Sequence, residues 1–260
     1  MTNSIKGQGP MLALREIAKA YDGKFALATL SLEIQPGEKV AVLGPSGSGK
    51  TTLLNLLGGV IQPEVGEITI GGRALAVMGP GRELSRLVGV MPQQLDLVPH
   101  LSVVHNTLAG RLGEWSLWKS LVSLVLTRDR DLVRWALNRV GLVDKQEERT
   151  SHLSGGEQQR VAMARLLVQA PQVILADEPV ASLDPARAED LIRLLCSVVE
   201  ESGKTLVASI HSVTLTRRYF SRALGLRQGE LQFDLPVAEL TDEILSGLYD
   251  LQGNQDSREA

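Results

Sequence analysis

The chain has 260 residues, of which 43% are hydrophobic, and it carries a formal net charge of −3. This hydrophobic fraction is sufficient for a packed core, and it excludes a chain dominated by disorder or by fibrous repeats. The slightly acidic balance argues against a dedicated nucleic-acid-binding protein, which usually has a basic surface.

The sequence lacks the marks of secretion and of membrane insertion. The N-terminal segment MTNSIKGQGP contains no apolar stretch like that of a signal peptide, and no uncharged apolar run reaches the ~20 residues that span a bilayer. Cys196 is the only cysteine, and it lies on the apolar face of a predicted helix. We therefore expect a chain that is neither secreted nor integral to a membrane, with Cys196 as a buried thiol.

Strand-like and helical patterns alternate along most of the chain. The apolar runs that predict strands are 39–43, 87–91, 173–176 and 205–210. The periodic patterns that predict helices are 51–60, 158–168 and 187–201. This alternation predicts an α/β core with a largely parallel sheet.

The stretch from about residue 95 to 157 differs, because it has helical patterns and no convincing strand. It contains GRLGEWSLWKSLVSLVLTRDR at 110–130, with Trp115 and Trp118, two of the three tryptophans. The apolar residues at 117–126 have helical spacing, and the run is too short to span a membrane. We expect an amphipathic helix that buries its apolar face either in the core of this chain or against a partner.

A phosphate-binding loop is predicted where the first of these strands meets the first helix. Gly44, Gly49, Lys50 and Thr51 fit the pattern G-x-x-x-x-G-K-[ST], in which backbone amides and a lysine hold phosphates and the threonine hydroxyl reaches Mg²⁺. An ordinary glycine-rich turn is the alternative, and four constrained positions disfavour it. The predicted nucleotide-binding residues here are Gly44, Pro45, Ser46, Gly47, Ser48, Gly49, Lys50, Thr51 and Thr52.

An acidic pair follows the apolar run at 173–176, in the sequence QVILADEP. Nucleotide hydrolysis needs one carboxylate near the metal and another that acts on the attacking water. We expect Asp177 to fill the first role and Glu178 to be the general base. The alternative is an acidic pair that merely ends a strand.

The segment LSGGEQQRVAMARLL begins a helix in an unusual way. Ser154 and Glu157 form a capping box, yet Gly155 and Gly156 occupy the first turn, where each glycine costs about 1 kcal/mol relative to alanine. A second phosphate-binding helix N-terminus would explain this cost.

LSGGEQQRVAMAR resembles the signature of ABC-type ATPases, and the resemblance covers almost the whole chain. It implies a P-loop core with a mostly parallel sheet, an N-terminal antiparallel β subdomain and an inserted helical subdomain. The implied ATPase domain is 10–236, with its core at 10–92 and 158–236 and its helical subdomain at 93–157. A short helical extension and a flexible tail would follow at 237–260.

The resemblance also implies roles for residues outside the phosphate loop. Ser154, Gly155 and Gly156 would contact the γ-phosphate of ATP held by a second subunit. Gln93, in preference to Gln94, matches the glutamine that senses Mg²⁺ and the attacking water. Together with Thr51 and Asp177, Gln93 would form the metal site.

Three further matches concern the loop between subunits, the γ-phosphate and the adenine. Ser182, Leu183 and Asp184 match a loop that crosses the dimer interface, and Asp184 is also suited to cap the following helix. His211 matches a histidine that contacts the γ-phosphate, although a histidine at a strand end is often structural. Tyr21 matches the aromatic residue that stacks on adenine, and its alternative is a core position.

Within the family, the chain is most similar to the ATP-binding subunits of phosphonate importers. The stretches that carry this similarity are AGRLGEWSLWKSL, LADEPVASLDP, RQGELQFD and PVAELTDEIL. The sequence departs from the family pattern at Pro92, Leu95, Asp96 and Ser212, and the first three border the loop that faces a permease.

The similarity implies an ATPase homodimer that binds Mg²⁺ and ATP on the cytoplasmic face of the inner membrane. Its partners would be membrane permease subunits and, indirectly, a solute-binding protein. The cargo would be phosphonate, phosphite or phosphate. The alternatives are an accessory ATPase of a cytosolic phosphonate-degrading complex and the motor of an exporter, which has the same nucleotide-site motifs.

Overall fold

The computed structural model of the chain describes residues 9–79, 81–114, 129–181 and 183–249. The helix predicted at 117–126, Trp115, Trp118 and Ser182 lie outside the described residues. Among the described residues, no helix is both long and apolar enough to cross a membrane.

In the part of the chain that the structure describes, ten strands form two sheets. The four-stranded sheet has the order β2-β1-β4-β5, and all of its pairs are antiparallel. Its strands are β1 (Leu12–Tyr21), β2 (Lys24–Ile34), β4 (Val65–Ile70) and β5 (Arg73–Ala74). The N-terminal antiparallel sheet that the family resemblance implied is thus present.

The six-stranded sheet has the order β10-β9-β3-β8-β7-β6. Every pair in it is parallel except β9 with β10, which form an antiparallel hairpin. Its strands are β3 (Lys39–Leu43), β6 (Val88–Met91), β7 (Val173–Asp177), β8 (Thr205–Ser209), β9 (Arg222–Arg227) and β10 (Glu230–Pro236). β7 and β8 are buried along their whole length, as expected for strands covered on both faces.

Eight α-helices lie in the described part of the chain. They are α1 (Lys50–Leu57), α2 (Arg82–Leu87), α3 (Val103–Leu108), α4 (Arg130–Arg139), α5 (Gly155–Gln169), α6 (Pro185–Glu201), α7 (Val213–Tyr219) and α8 (Asp242–Tyr249). The predicted helix at 51–60 ends early, at Leu57, because two glycines follow and Gly59 has a φ of 67°. The predicted helices at 158–168 and 187–201 begin earlier than expected, since Ser154 and Asp184 cap them.

Two hydrophobic clusters cover the two faces of the parallel sheet. One cluster joins that face to α1 and to the antiparallel sheet, through residues such as Leu12, Leu27, Leu53 and Val40. The other joins the opposite face to helices α3 to α8. Cys196 lies in this second cluster with 3% of its surface exposed, and burial raises the pKa of its thiol to about 11. The expected buried thiol is confirmed.

Candidate functional site

The loop from Gly44 to Gly49 connects β3, in the middle of the parallel sheet, to the start of α1. Gly44 and Gly49 have φ angles of 148° and 103°, and residues other than glycine rarely adopt such values. A Cβ at Gly44 would lie 2.1 Å from the carbonyl oxygen of Leu226, and one at Gly49 would lie 2.5 Å from that of Ala26. Glycine is therefore required at both positions, because the backbones of β9 and β2 approach the loop too closely for a side chain.

The ammonium group of Lys50 lies inside the curl of this loop. Its Nζ donates hydrogen bonds to the carbonyl oxygens of Gly44, at 2.9 Å, and of Pro45, at 3.0 Å. Burial lowers the pKa of Lys50, while the negative charges of Glu178 and Asp177 oppose that shift. The lysine is thus held as a donor between the loop and the two carboxylates.

The loop also presents unused hydrogen-bonding groups. Ser48 is 2% exposed, and its Oγ has no hydrogen-bond partner among the described residues. The first turn of α1 contains no acidic residue that would compete for its free amides. A buried hydroxyl and free amides at a helix N-terminus match the needs of a bound phosphate group.

Asp177 and Glu178 lie where β7 ends, and Ser209 at the end of β8 orients both. The Oγ of Ser209 donates to Oδ1 of Asp177 at 2.7 Å and accepts from the backbone amide of Glu178 at 2.8 Å. Glu178 has a φ of 46°, an uncommon conformation for a residue other than glycine. Such strain is concentrated at functional sites in many proteins.

Glu178 contacts both of the other predicted catalytic residues. Its Oε1 lies 2.6 Å from Nε2 of His211, and its Oε2 accepts a hydrogen bond from Nε2 of Gln93 at 3.2 Å. All three side chains line the same concave surface as Ser46 to Thr52 of the phosphate loop. They come together because β6, β7 and β8 are parallel and adjacent, so their carboxyl ends meet at one edge of the sheet.

Ser154 and Glu157 form the capping box that the sequence predicts. The Oγ of Ser154 accepts from the amide of Glu157 at 3.4 Å, and Oε2 of Glu157 accepts from the amide of Ser154 at 2.9 Å. Lys145 Nζ lies 2.6 Å from the other oxygen of Glu157. The hydrogen bond from Lys145, with those from Ser154, lowers the pKa of Glu157 to about 2.

A side chain at Gly155 would enter open space, and one at Gly156 would approach the side chains of Leu183 and Arg187. A Cβ at Gly155 would meet nothing within 4 Å, and one at Gly156 would lie 3.3 Å from Cδ2 of Leu183. Ser154 and Gly156 line a concave surface with Arg160 and Arg187, separate from that of the phosphate loop. The described part of one chain therefore does not explain why these positions lack side chains.

Asp184 and Tyr21 lie outside the surface around the phosphate loop. Asp184 caps α6, since its Oδ1 accepts from the amide of Arg187 at 3.2 Å. Tyr21 ends β1 and is 50% exposed, with Nζ of Lys19 5.4 Å from the centre of its ring. The exposed ring excludes the core alternative, and its contact with adenine stays a prediction.

Sequence reasoning missed three residues that shape this region. They are Ser209, which orients both carboxylates, Ala26, which lines the concave surface, and Tyr249, whose hydroxyl contacts Gly44. Ser209 and Ala26 read as ordinary residues of strands, and Tyr249 is distant in sequence from the loop. No pattern in the sequence distinguishes them.

The phosphate loop after β3, the buried lysine and the carboxylates at the end of β7 in the same sheet define a P-loop nucleoside triphosphatase. A family model described as ABC transporter matches residues 27–181. This match covers more than half of the sequence, and the chain belongs to the ABC transporter family.

Curated relatives agree with this membership. The chain is 47% identical, over 93% of its length, to the phosphonates import ATP-binding protein PhnC of Anaeromyxobacter dehalogenans (strain 2CP-C). It spans only 49% of that relative, about half of its length. It is 44% identical to PhnC 1 of Pseudomonas aeruginosa (strain PAO1), over 88% of this chain and 86% of the relative.

Solved structures show the same fold. A dimeric ATP-binding cassette in a post-hydrolysis state, bound to ADP and Pi, is 31% identical with a TM-score of 0.75, over 87% of this chain and 99% of that one. A nucleotide-free cassette from an ABC transporter has a TM-score of 0.78 over 92% of this chain and 94% of that one, and its 21% identity supports the fold alone. The expected ABC ATPase fold is confirmed.

Proposed function

We propose that this chain is the ATP-hydrolysing subunit of a membrane importer for phosphonate or for a related small oxyanion such as phosphite or phosphate. The main support for ATPase activity is that Gln93 and His211 both contact Glu178 beside the phosphate loop. The proposal that the cargo is phosphonate rests on the similarity to proteins named as phosphonates import ATP-binding proteins.

The phosphate groups of ATP would bind to the loop between β3 and α1. The amides at the start of α1, the hydroxyl of Ser48 and the ammonium of Lys50 would be the donors to these phosphates. Tyr21 is proposed to stack on the adenine from the end of β1.

The residues at this site also fit a magnesium ion, which prefers oxygen ligands. Thr51 offers a hydroxyl, Gln93 an amide oxygen, and Asp177 a carboxylate of which Ser209 engages only one oxygen. Bound Mg²⁺ would neutralise the charge that develops on the β- and γ-phosphates.

Glu178 is proposed to act on the attacking water. Its carboxylate would accept the proton of a water that attacks the γ-phosphorus, as the bond to ADP breaks and phosphate is released. The contacts with Gln93 and His211 hold the carboxylate in place, and each of its oxygens has a lone pair left for the water. His211 would contact the γ-phosphate.

The open face of the Ser154 turn supports an ATPase homodimer. In such a pair, Ser154, Gly155 and Gly156 of each chain would face the γ-phosphate held by the other, and the loop that ends at Asp184 would cross the interface. The absence of side chains at both glycines would then have a reason, because a phosphate approaches the helix N-terminus closely. A related cassette is dimeric in its solved structure.

The importer would contain membrane permease subunits and would receive its cargo from a solute-binding protein. The chain would then work at the cytoplasmic face of the inner membrane, with the helical region at 93–157 as the surface that meets the permease. Closure of the ATPase pair would drive the permease between its two conformations.

Two experiments test this proposal. In the first, a strain that lacks the gene is grown with methylphosphonate, phosphite or phosphate as the only phosphorus source, and loss of growth on one source identifies the cargo. In the second, proteins that co-purify with the chain are identified. A membrane permease supports import, whereas soluble catalytic subunits without a permease would overturn it in favour of an accessory ATPase.

A further inference from the structure

The C-terminal helix α8 reaches the phosphate loop through its last residue. The hydroxyl of Tyr249 accepts a hydrogen bond from the backbone amide of Gly44 at 3.3 Å. These residues lie 205 positions apart in the sequence, so the contact is made only in the folded chain.

Helix α8 is fixed firmly enough to hold that hydroxyl in place. Leu245 and Leu248 are buried in the same hydrophobic cluster as the parallel sheet. The guanidinium of Arg227, at the end of β9, donates to the carbonyl oxygen of Gly247 at 2.7 Å, and that of Arg217 donates to Asp242 at 2.7 Å. Both ends of the helix are thus tied to neighbouring elements.

Gly44 is the position at which the loop leaves β3. Its φ of 148° and the close approach of the Leu226 carbonyl leave the backbone little room to move on that side. The hydrogen bond that the Gly44 amide donates to Tyr249 restrains the same residue through its N–H group. Burial raises the pKa of Tyr249, and the oxygen of its hydroxyl accepts the hydrogen bond from the Gly44 amide.

We propose that Tyr249 is a positioning residue, which holds the start of the phosphate loop in the conformation that binds nucleotide. This inference rests on the proposed ATPase function. Without the hydroxyl, the Gly44 amide loses its partner and the free loop samples more conformations. Nucleotide binding must then order the loop, and affinity falls.

The test compares Tyr249→Phe with the full-length wild-type chain. The change removes one oxygen and keeps the ring that packs against the core. The dissociation constant of a non-hydrolysable ATP analogue and the KM for ATP should both rise about two- to tenfold, the range expected for one hydrogen bond. The kcat should stay within about twofold, since the lost contact acts equally on the bound substrate and the transition state.

Tyr219→Phe is the matched control. The hydroxyl of Tyr219 donates to Glu189 at 3.0 Å, and neither residue lines the concave surface around the phosphate loop, so this variant should bind nucleotide like the wild type. A rise in the dissociation constant of the same size in both variants would overturn the proposal, as would an unchanged constant in Tyr249→Phe.

Hydrogen exchange provides a second measurement that does not depend on turnover. Amides at the start of the phosphate loop should exchange faster in Tyr249→Phe than in the wild type without nucleotide, and equally slowly with saturating analogue. Equal exchange without nucleotide would contradict the inference. If the wild-type chain binds no ATP analogue at all, the proposed ATPase function fails, and exchange without nucleotide still tests the contact with Gly44.

Discussion

Nε2 of His211 lies 2.6 Å from Oε1 of Glu178, although the two residues come from the ends of different strands. Gln93 contacts the other oxygen of the same carboxylate from the end of a third strand. The side chain of Glu178 is therefore held from both sides, beside a loop that is built for phosphate.

Replacing Glu178 by Gln should abolish ATP turnover while ATP binding persists. Glutamine keeps the shape of the side chain and cannot take a proton from water, so kcat should fall at least about 100-fold. Turnover is measured by phosphate release, and binding with a non-hydrolysable analogue.

Glu200→Gln is the control for this variant. Glu200 pairs with Lys39 on the surface of α6, and its loss should leave turnover within about twofold, because surface ion pairs contribute little. Retained turnover in Glu178→Gln would contradict the role of general base.

Gly44→Ala should destabilise the fold far more than Gly47→Ala. At Gly44 the new Cβ would meet the Leu226 carbonyl in addition to a strained φ, and the combined cost should reach at least about 3 kcal/mol. At Gly47 the φ is 77° with open space around the Cβ, so about 1 kcal/mol is expected. Urea unfolding of the two variants measures the difference, and equal costs would show that close packing at Gly44 is not the cause.

Two buried threonines in the helical region should respond oppositely to loss of their hydroxyls. The Oγ1 of Thr150 donates to the carbonyl of Val98 at 2.8 Å and lies 3.4 Å from Nδ2 of Asn106. The Oγ1 of Thr107 has no partner among the described residues. Thr150→Val should lower the free energy of unfolding by about 1–2 kcal/mol, whereas Thr107→Val should leave it unchanged or raise it.

Chemical denaturation of both threonine variants, with the free energy of unfolding extrapolated to water, is the measurement. An equal decrease in the free energy of unfolding in both variants would mean that side-chain packing, and not hydrogen bonding, determines the change in stability. The Thr150 contacts connect the loop after Gln93 to the segment before Ser154.

Glu157 should make the stability of the fold sensitive to acid. Its pKa is lowered from 4.5 to about 2 in the folded chain, so its contribution is complete above about 4.5 and is lost as the pH falls toward about 2. Glu157→Gln should therefore be less stable than the wild type at neutral pH, and the difference should narrow as the pH falls below about 4.5.

This prediction is tested by measuring unfolding midpoints from neutral pH down to about 2. The control is Glu230→Gln, at an exposed position. A difference between Glu157→Gln and the wild type that does not change with pH would show that the ionised carboxylate is not what stabilises the capping box.

The local features of this protein were predictable from the sequence because neighbouring residues determine them. The phosphate loop is contiguous, and its glycines and lysine indicate a backbone that binds phosphate. Ser154 and Asp184 lie directly before helices that they cap, and the apolar runs at β7 and β8 predict strands buried on both faces. The antiparallel subdomain was predicted only through the family resemblance, and it is present. The contact of Ser154 with a nucleotide held by a second subunit rests on the same resemblance and stays a prediction.

Only the tertiary structure decided which distant side chains meet. Gln93, Glu178 and His211 come together because three parallel strands end at one edge, and sequence order carries no information on their distances or directions. Ser209 orients two carboxylates from the neighbouring strand, and Tyr249 reaches Gly44 from a helix near the end of the described chain. Hydrogen bonds of this kind depend on packing between elements, and packing is a property of the whole fold.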